Sequence, residues 1–82
     1  MTHIFGSIIW TDAVFHSFSV EDSELILLLG DGSKRIMNHK NWEESFPITI
    51  ENLKNLKDGD LIKFATWSDY DEKLWFCDIK LR

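Results

Sequence analysis

With one cysteine, Cys77, the chain cannot close an internal disulfide, whereas small secreted domains are usually stapled by several. The start, Met1-Thr2-His3-Ile4-Phe5-Gly6, lacks the basic residues and apolar stretch of a signal peptide. The longest uninterrupted apolar run, Leu25 to Leu29, is far too short to cross a membrane as a helix. These three shortages give the expectation of a cytoplasmic protein with no membrane attachment. Basic residues are scarce too: nine Lys and Arg stand against fourteen Asp and Glu, a formal charge of −5. Nucleic-acid binding draws on a basic patch that releases counterions. Lys34-Arg35 with Lys40, and Lys54 with Lys57, are too scattered to make one, so nucleic acid is a disfavoured partner. A single proline, Pro47, and four glycines leave no linker or low-complexity tract.

What the chain does have is apolar mass. Of its 82 residues 44% are hydrophobic, and four Trp and six Phe are among them. That suffices for one packed domain spanning residues 1–82, without room for a second core. A domain of this size buries roughly 60% of its unfolded surface, so a few large rings carry much of its stability.

The last third sets the class. Lys57-Asp58-Gly59-Asp60 reads as a turn that launches a strand from Leu61 to Trp67. An acidic break, Ser68 to Lys73, leads to a second run from Leu74 to Leu81, and the two read as a β-hairpin. Alternation in the second run places Trp75, Cys77, Ile79 and Leu81 on the buried face and Phe76, Asp78, Lys80 and Arg82 on the solvated one. Upstream, Ile4 to Trp10 is an apolar run, Thr11-Asp12 a bend, and Ala13 to Val20 a further strand. In that strand Val14, His16, Phe18 and Val20 are expected inward, and Phe15 outward. Glu24 to Leu29, apolar on both faces, is a strand covered on both sides. Gly30-Asp31-Gly32-Ser33 is the clearest turn, and Lys34 to Asn38 pairs back as a short edge strand. Asn41 with Glu44 is a weak relative of a capping box. Pro47 limits helix length, and Ile50, Leu53 and Leu56 predict a short helix or 3₁₀ turn over about Thr49 to Lys57.

If the first two runs form one bent strand, the order is β-β-β-α-β-β. The expected fold is therefore mostly β: a small barrel of five or six strands with the element order of the OB-fold. An SH3-like barrel is the alternative.

Few residues point to chemistry. His3, His16, His39 and Cys77 have none of the short spacings of a structural zinc site, and no cofactor is implied. Cys77, between Trp75 and Ile79, reads as a small buried hydrophobe. Asp69-Tyr70-Asp71-Glu72 lacks the central glycine and terminal Glu of a calcium loop, and Gly30 to Ser33 lacks the lysine and helix of a phosphate loop. No nucleophile and base are placed together, so a non-enzymatic binding module is expected. Exposed rings are its means: Phe15, Trp42, Trp67, Tyr70 and Phe76 as anchors, with Asp69, Asp71 and Glu72 as an acidic rim. Such rings stack bases in single-strand binders and anchor protein interfaces. The acidic charge favours another protein with a basic surface. The alternatives are single-stranded nucleic-acid binding on an OB-like face, and an acidic inhibitor or decoy that covers a basic surface on another protein.

Overall fold

A computed structural model describes residues 8–68 and 74–82. Five strands and one helix follow in the order β1 (Ile8–Glu21), β2 (Glu24–Leu29), β3 (Lys34–Asn38), α1 (Phe46–Leu53), β4 (Leu61–Trp67) and β5 (Asp78–Leu81). All ladders are antiparallel and the sheet order is β3-β2-β1-β4-β5. The molecule is therefore mostly β, with one short helix.

β1 organises the sheet. Its first half, Ile8 to Val14, pairs with β4, and its second half, Phe15 to Glu21, pairs with β2. The bend expected at Thr11-Asp12 is absent: both residues lie in an unbroken ladder, opposite Phe64 and Lys63. The irregularity falls instead at His16. Phe15 faces Leu29 while Ser17 already faces Leu28, so His16 is the extra residue of a bulge. A bulge changes the inward-outward phase. It lets Phe15, only 3% exposed, and Phe18, half-buried against the core, both point inward. This overturns the outward placement of Phe15. His16 and Val14 are correspondingly exposed, while Val20, on the same face as Phe18 and opposite Leu25, is nonetheless 48% exposed near the end of the strand.

The connections follow from their residues. Asp22 and Ser23 both adopt positive φ, 48° and 67°, closing the tight β1–β2 hairpin within the first acidic cluster. In the β2–β3 turn the Asp31 carboxylate accepts the Ser33 N–H at 2.9 Å and the Ser33 hydroxyl as well. These bonds hold the Asp31 carboxyl below its ordinary pKa. β2 buries Leu25, Leu27 and Leu29 on one face and half-buries Ile26 and Leu28 on the other, in line with apolar residues on both sides. In α1, Phe46, Thr49 and Leu53 are buried at the i, i+3, i+7 spacing of one helix face. The helix starts upstream of the expected Thr49, with Ser45 as its N-cap and Pro47 in its first turn, where a missing N–H costs nothing. Asn41 does not cap it.

The far end of the hairpin corrects a second phase. Phe76 is 1% exposed, Trp75 half-buried, and Cys77 buried beside Phe76. Two neighbours are buried because regular strand begins only at Asp78. Upstream of it, an isolated parallel bridge joins Trp75 to Ile36 of β3: Ile36 N–H donates to the Leu74 carbonyl at 2.6 Å, and Phe76 N–H donates to the Ile36 carbonyl at 2.9 Å. Docking against β3 turns Phe76 inward. The bridge is isolated, so among the described residues the sheet is not closed into a barrel by continuous pairing. The core is Phe15, Leu25, Leu27, Leu29, Met37, Phe46, Leu53, Ile62, Phe64, Phe76 and Ile79, with Ala13, Phe18, Trp42, Ile50 and Leu56 packed at its margin.

Candidate functional site

A partly exposed apolar surface lies on the outer side of the β1–β4–β5 half. Gly59, at φ 95°, makes the turn into β4, and the Lys57 N–H donates to the Asp60 carboxylate across it at 2.8 Å. β4 then runs against the first half of β1 in a fixed register. The row Thr11–Phe64–Ile79 carries the buried Phe64 and Ile79, which identifies the inward face. Alternation sends the intervening rows outward. They are Ile8–Trp67, Trp10–Ala65–Asp78, Asp12–Lys63–Lys80 and Val14–Leu61.

Trp10 and Trp67 are diagonal neighbours on this face, within reach of each other's rings. Trp10 is 37% exposed, Ile8 is 47% exposed and Trp67 is half-buried. Ala65, opposite Trp10, is fully buried although it belongs to the outer set, because a single methyl lies lower than the side chains around it. The Lys80 ammonium stands 4.2 Å from the centroid of the Trp10 ring, a cation–π distance. The Asp12 carboxylate lies 3.3 Å from the Arg82 guanidinium and 3.9 Å from the Lys63 ammonium. The face is thus an aromatic and aliphatic centre bordered by three cations and two carboxylates, Asp12 and Asp78.

Among the anchors expected from sequence, Trp67 alone falls on this face. Phe15 and Phe76 are core residues and present no surface to a partner. Trp42 is half-buried and packs against the core at the start of the helical connector. Asp69, Tyr70, Asp71 and Glu72 lie outside the described residues, in the segment that follows Trp67 and Ser68. Trp10 and Ile8 were not read as site residues. Their available signal is the charge-free run Ile8-Ile9-Trp10-Thr11, whose one polar residue, Thr11, falls on the inward set and so does not mark the outer face.

Among the described residues no three His, Cys, Asp or Glu side chains gather as metal ligands. Cys77, 7% exposed, has its thiol pKa pushed up, chiefly by burial and secondarily by the neighbouring Asp78 charge. It is a protonated, shielded thiol at neutral pH, the reverse of an activated nucleophile. His16 does not approach it for catalysis; its Nδ1 lies 3.1 Å from the Asp58 carboxylate on the surface. What the tryptophan face offers chemically is partly exposed aromatic and aliphatic area with charged side chains around it. No protein family, curated protein or solved structure matches this chain.

Proposed function

We propose that the protein is a non-enzymatic binding module whose partner is another protein, held on the outer face of β1 and β4. One observation carries the reading. Exposed Ile8 and Trp10 and half-buried Trp67 share one face of the paired β1 and β4 strands. Tryptophan is the residue most enriched among interface hot spots, and its energy is realised when a polar rim excludes water around it. Here Lys63, Lys80, Arg82, Asp12 and Asp78 supply that rim. At longer range the net charge of −5 steers the encounter toward a basic partner, and the acidic segment Asp69 to Glu72, next to Trp67 in sequence, adds to that field.

For the architecture we propose a small OB-like barrel. The order β-β-β-α-β-β and the parallel bridge between Ile36 and Trp75 support it, since such a barrel joins its third and last strands side by side.

A second reading has its own observation. Lys80 over Trp10, with Lys63 and Arg82 nearby, is also the combination of ring and cation that stacks and holds a single nucleic-acid strand. The overall acidity opposes it. The acidic-decoy reading differs from the main one only in its target, a nucleic-acid-binding surface.

The test is a pull-down from native cell extract with wild type, Trp10→Ala and Trp67→Ala, beside a low-salt titration with labelled single-stranded oligonucleotide. Each substitution should leave the fold intact and weaken the captured protein by about 2 kcal/mol or more. Neutralising Asp69, Asp71 and Glu72 together should mainly slow association, with a loss that shrinks as salt rises. If both Trp variants fold and keep every captured protein, the tryptophan face is not the interface. Oligonucleotide binding that is lost with Trp10→Ala selects the second reading.

A further inference from the structure

The first half of β1 is paired on one side only. β2 ends at Leu29 opposite Phe15, and its last contact is the Gly30 N–H donating to the Val14 carbonyl at 2.8 Å. That bond shows which way the backbone points: the even residues Val14, Asp12, Trp10 and Ile8 aim their N–H and C=O groups away from β4. The odd residues aim toward β4, as the Phe15 N–H, donating to the Asp60 carbonyl at 2.9 Å on that side, confirms. Among the described residues nothing pairs with the outward-aimed groups of Ile8, Trp10 and Asp12.

Natural edges of this kind are guarded by lysines, prolines or a short length. This one has none of those over Ile8-Ile9-Trp10-Thr11. Its side chains are apolar on both faces, Ile8 and Trp10 outward and Ile9, 49% exposed, on the inner side. An open hollow borders the same edge, lined by Ala13, Leu29 and Phe64 and also by Asp12, Asp31 and Arg35. Unpaired backbone and an apolar stretch, Ile8 to Trp10, that ends at Asp12 beside a hollow of mixed polarity together describe a strand open to another strand.

We propose that the occupant is a second copy of this chain, joined by antiparallel pairing of the two β1 edges about a two-fold axis at Trp10. The edge is self-complementary in that register. Trp10 pairs with the second copy's Trp10, and Ile8 with the second copy's Asp12; all these are residues that aim backbone groups at the edge, so each N–H meets a C=O. The outer face then carries a cross-strand Trp–Trp contact, a favourable pair. Charge is compatible as well: Asp12 meets an isoleucine, and no like charges fall opposite each other. On the inner face the second copy's Ile9 lies opposite Thr11, beside the hollow in which the Arg35 guanidinium stands 5.0 Å over the Phe64 ring. Trp10 belongs to this contact and to the face proposed above, so the tests below act on Ile9 and Asp12 and leave both tryptophans in place; failure here then leaves the function proposed above untouched.

The test is sedimentation velocity on the purified chain from about 5 to about 500 μM, a range that brackets the weak self-association expected of a small interface. The mass should rise from 9.7 kDa toward twice that value, and added salt should favour the dimer by screening the repulsion between two acidic copies. Ile9→Lys places a charge at the hollow, and Asp12→Pro removes an N–H aimed at the edge but unused by β4. Each should weaken the dimer tenfold or more, with the melting curve of the monomer retained. If Asp12→Pro melts early, Ile9→Lys and the exchange rate of the Trp10 amide, expected to slow at high concentration, decide the matter. A mass of 9.7 kDa throughout the range, or a dimer indifferent to Ile9→Lys, overturns the proposal.

Discussion

Replacing Phe76 and Trp75 in turn by alanine tests which way the chain faces where it meets β3. Strict alternation through Leu74 to Leu81 makes Trp75 the core residue and Phe76 the exposed one. The structure reverses them, leaving Phe76 1% exposed and Trp75 half-buried. A ring of this kind buries about 150–250 Å². At about 25 cal/mol per Å² that corresponds to roughly 4–6 kcal/mol as an upper bound, and measured Phe→Ala losses of about 3–5 kcal/mol agree. The whole domain, at about 0.05–0.15 kcal/mol per residue, has only about 4–12 kcal/mol to lose. Phe76→Ala should therefore move a urea midpoint by about 3 M, taking a slope near 1 kcal/mol per molar, or leave the chain unfolded in water. Trp75→Ala should cost less, because part of its ring already faces solvent. Paired urea melts followed by circular dichroism provide the comparison. The reasoning fails if Phe76→Ala changes stability by no more than about half a kcal/mol, the range of ordinary surface substitutions, or if Trp75→Ala is the costlier of the two.

Cys77 should react slowly with a thiol reagent in native conditions and fast in urea, since it is buried. Because burial raises its folded pKa above the ordinary thiol value of 9.0, its contribution to stability is complete below that value and is lost as pH rises through the higher folded one. Urea midpoints should accordingly decline in alkali, and Cys77→Ala should flatten that decline. Gly59→Ala, at φ 95°, should cost about 1–2 kcal/mol through backbone strain alone, read in the same melts. Asp58→Asn, which removes the surface partner of His16, should change stability by less than about 1 kcal/mol, and by less still in high salt.

Much of the fold is written in local signals. Gly30-Asp31-Gly32-Ser33 and Lys57-Asp58-Gly59-Asp60 are turns, and they fix the start of β3 at Lys34 and of β4 at Leu61. Glu24–Leu29 and Leu61–Trp67 are strands over the ranges that their apolar runs indicate. The readings that failed share one cause. Inward or outward orientation is inherited from residue to residue by alternation, so one unmarked irregularity inverts everything beyond it. The bulge at His16 has no glycine or proline to announce it, and it misplaced Phe15. Near Phe76 the non-local bridge to Ile36 decides the orientation, and nothing within Leu74 to Leu81 records a contact with β3. The tryptophan face was half legible. Trp67 stood out at the end of a clear strand, whereas Trp10 acquires its meaning only from the register that sets it diagonal to Trp67.

The bulge has a consequence for how the gene can vary. At His16 the side chain points to solvent, so many residues can stand there at the loss of one surface ion pair. The residue itself can also be dropped without inverting either half of the strand. Deleting it would join Phe15↔Leu29 directly to Ser17↔Leu28 as a regular ladder, leaving Ala13, Phe15 and Phe18 on one face in strict alternation. Position 16 is thus free in identity and in number. A three-base deletion there would remove the local kink and twist of the bulge while keeping Phe15 and Phe18 in the core. A deletion within Ile8 to Val14 would instead invert the pairing with β4.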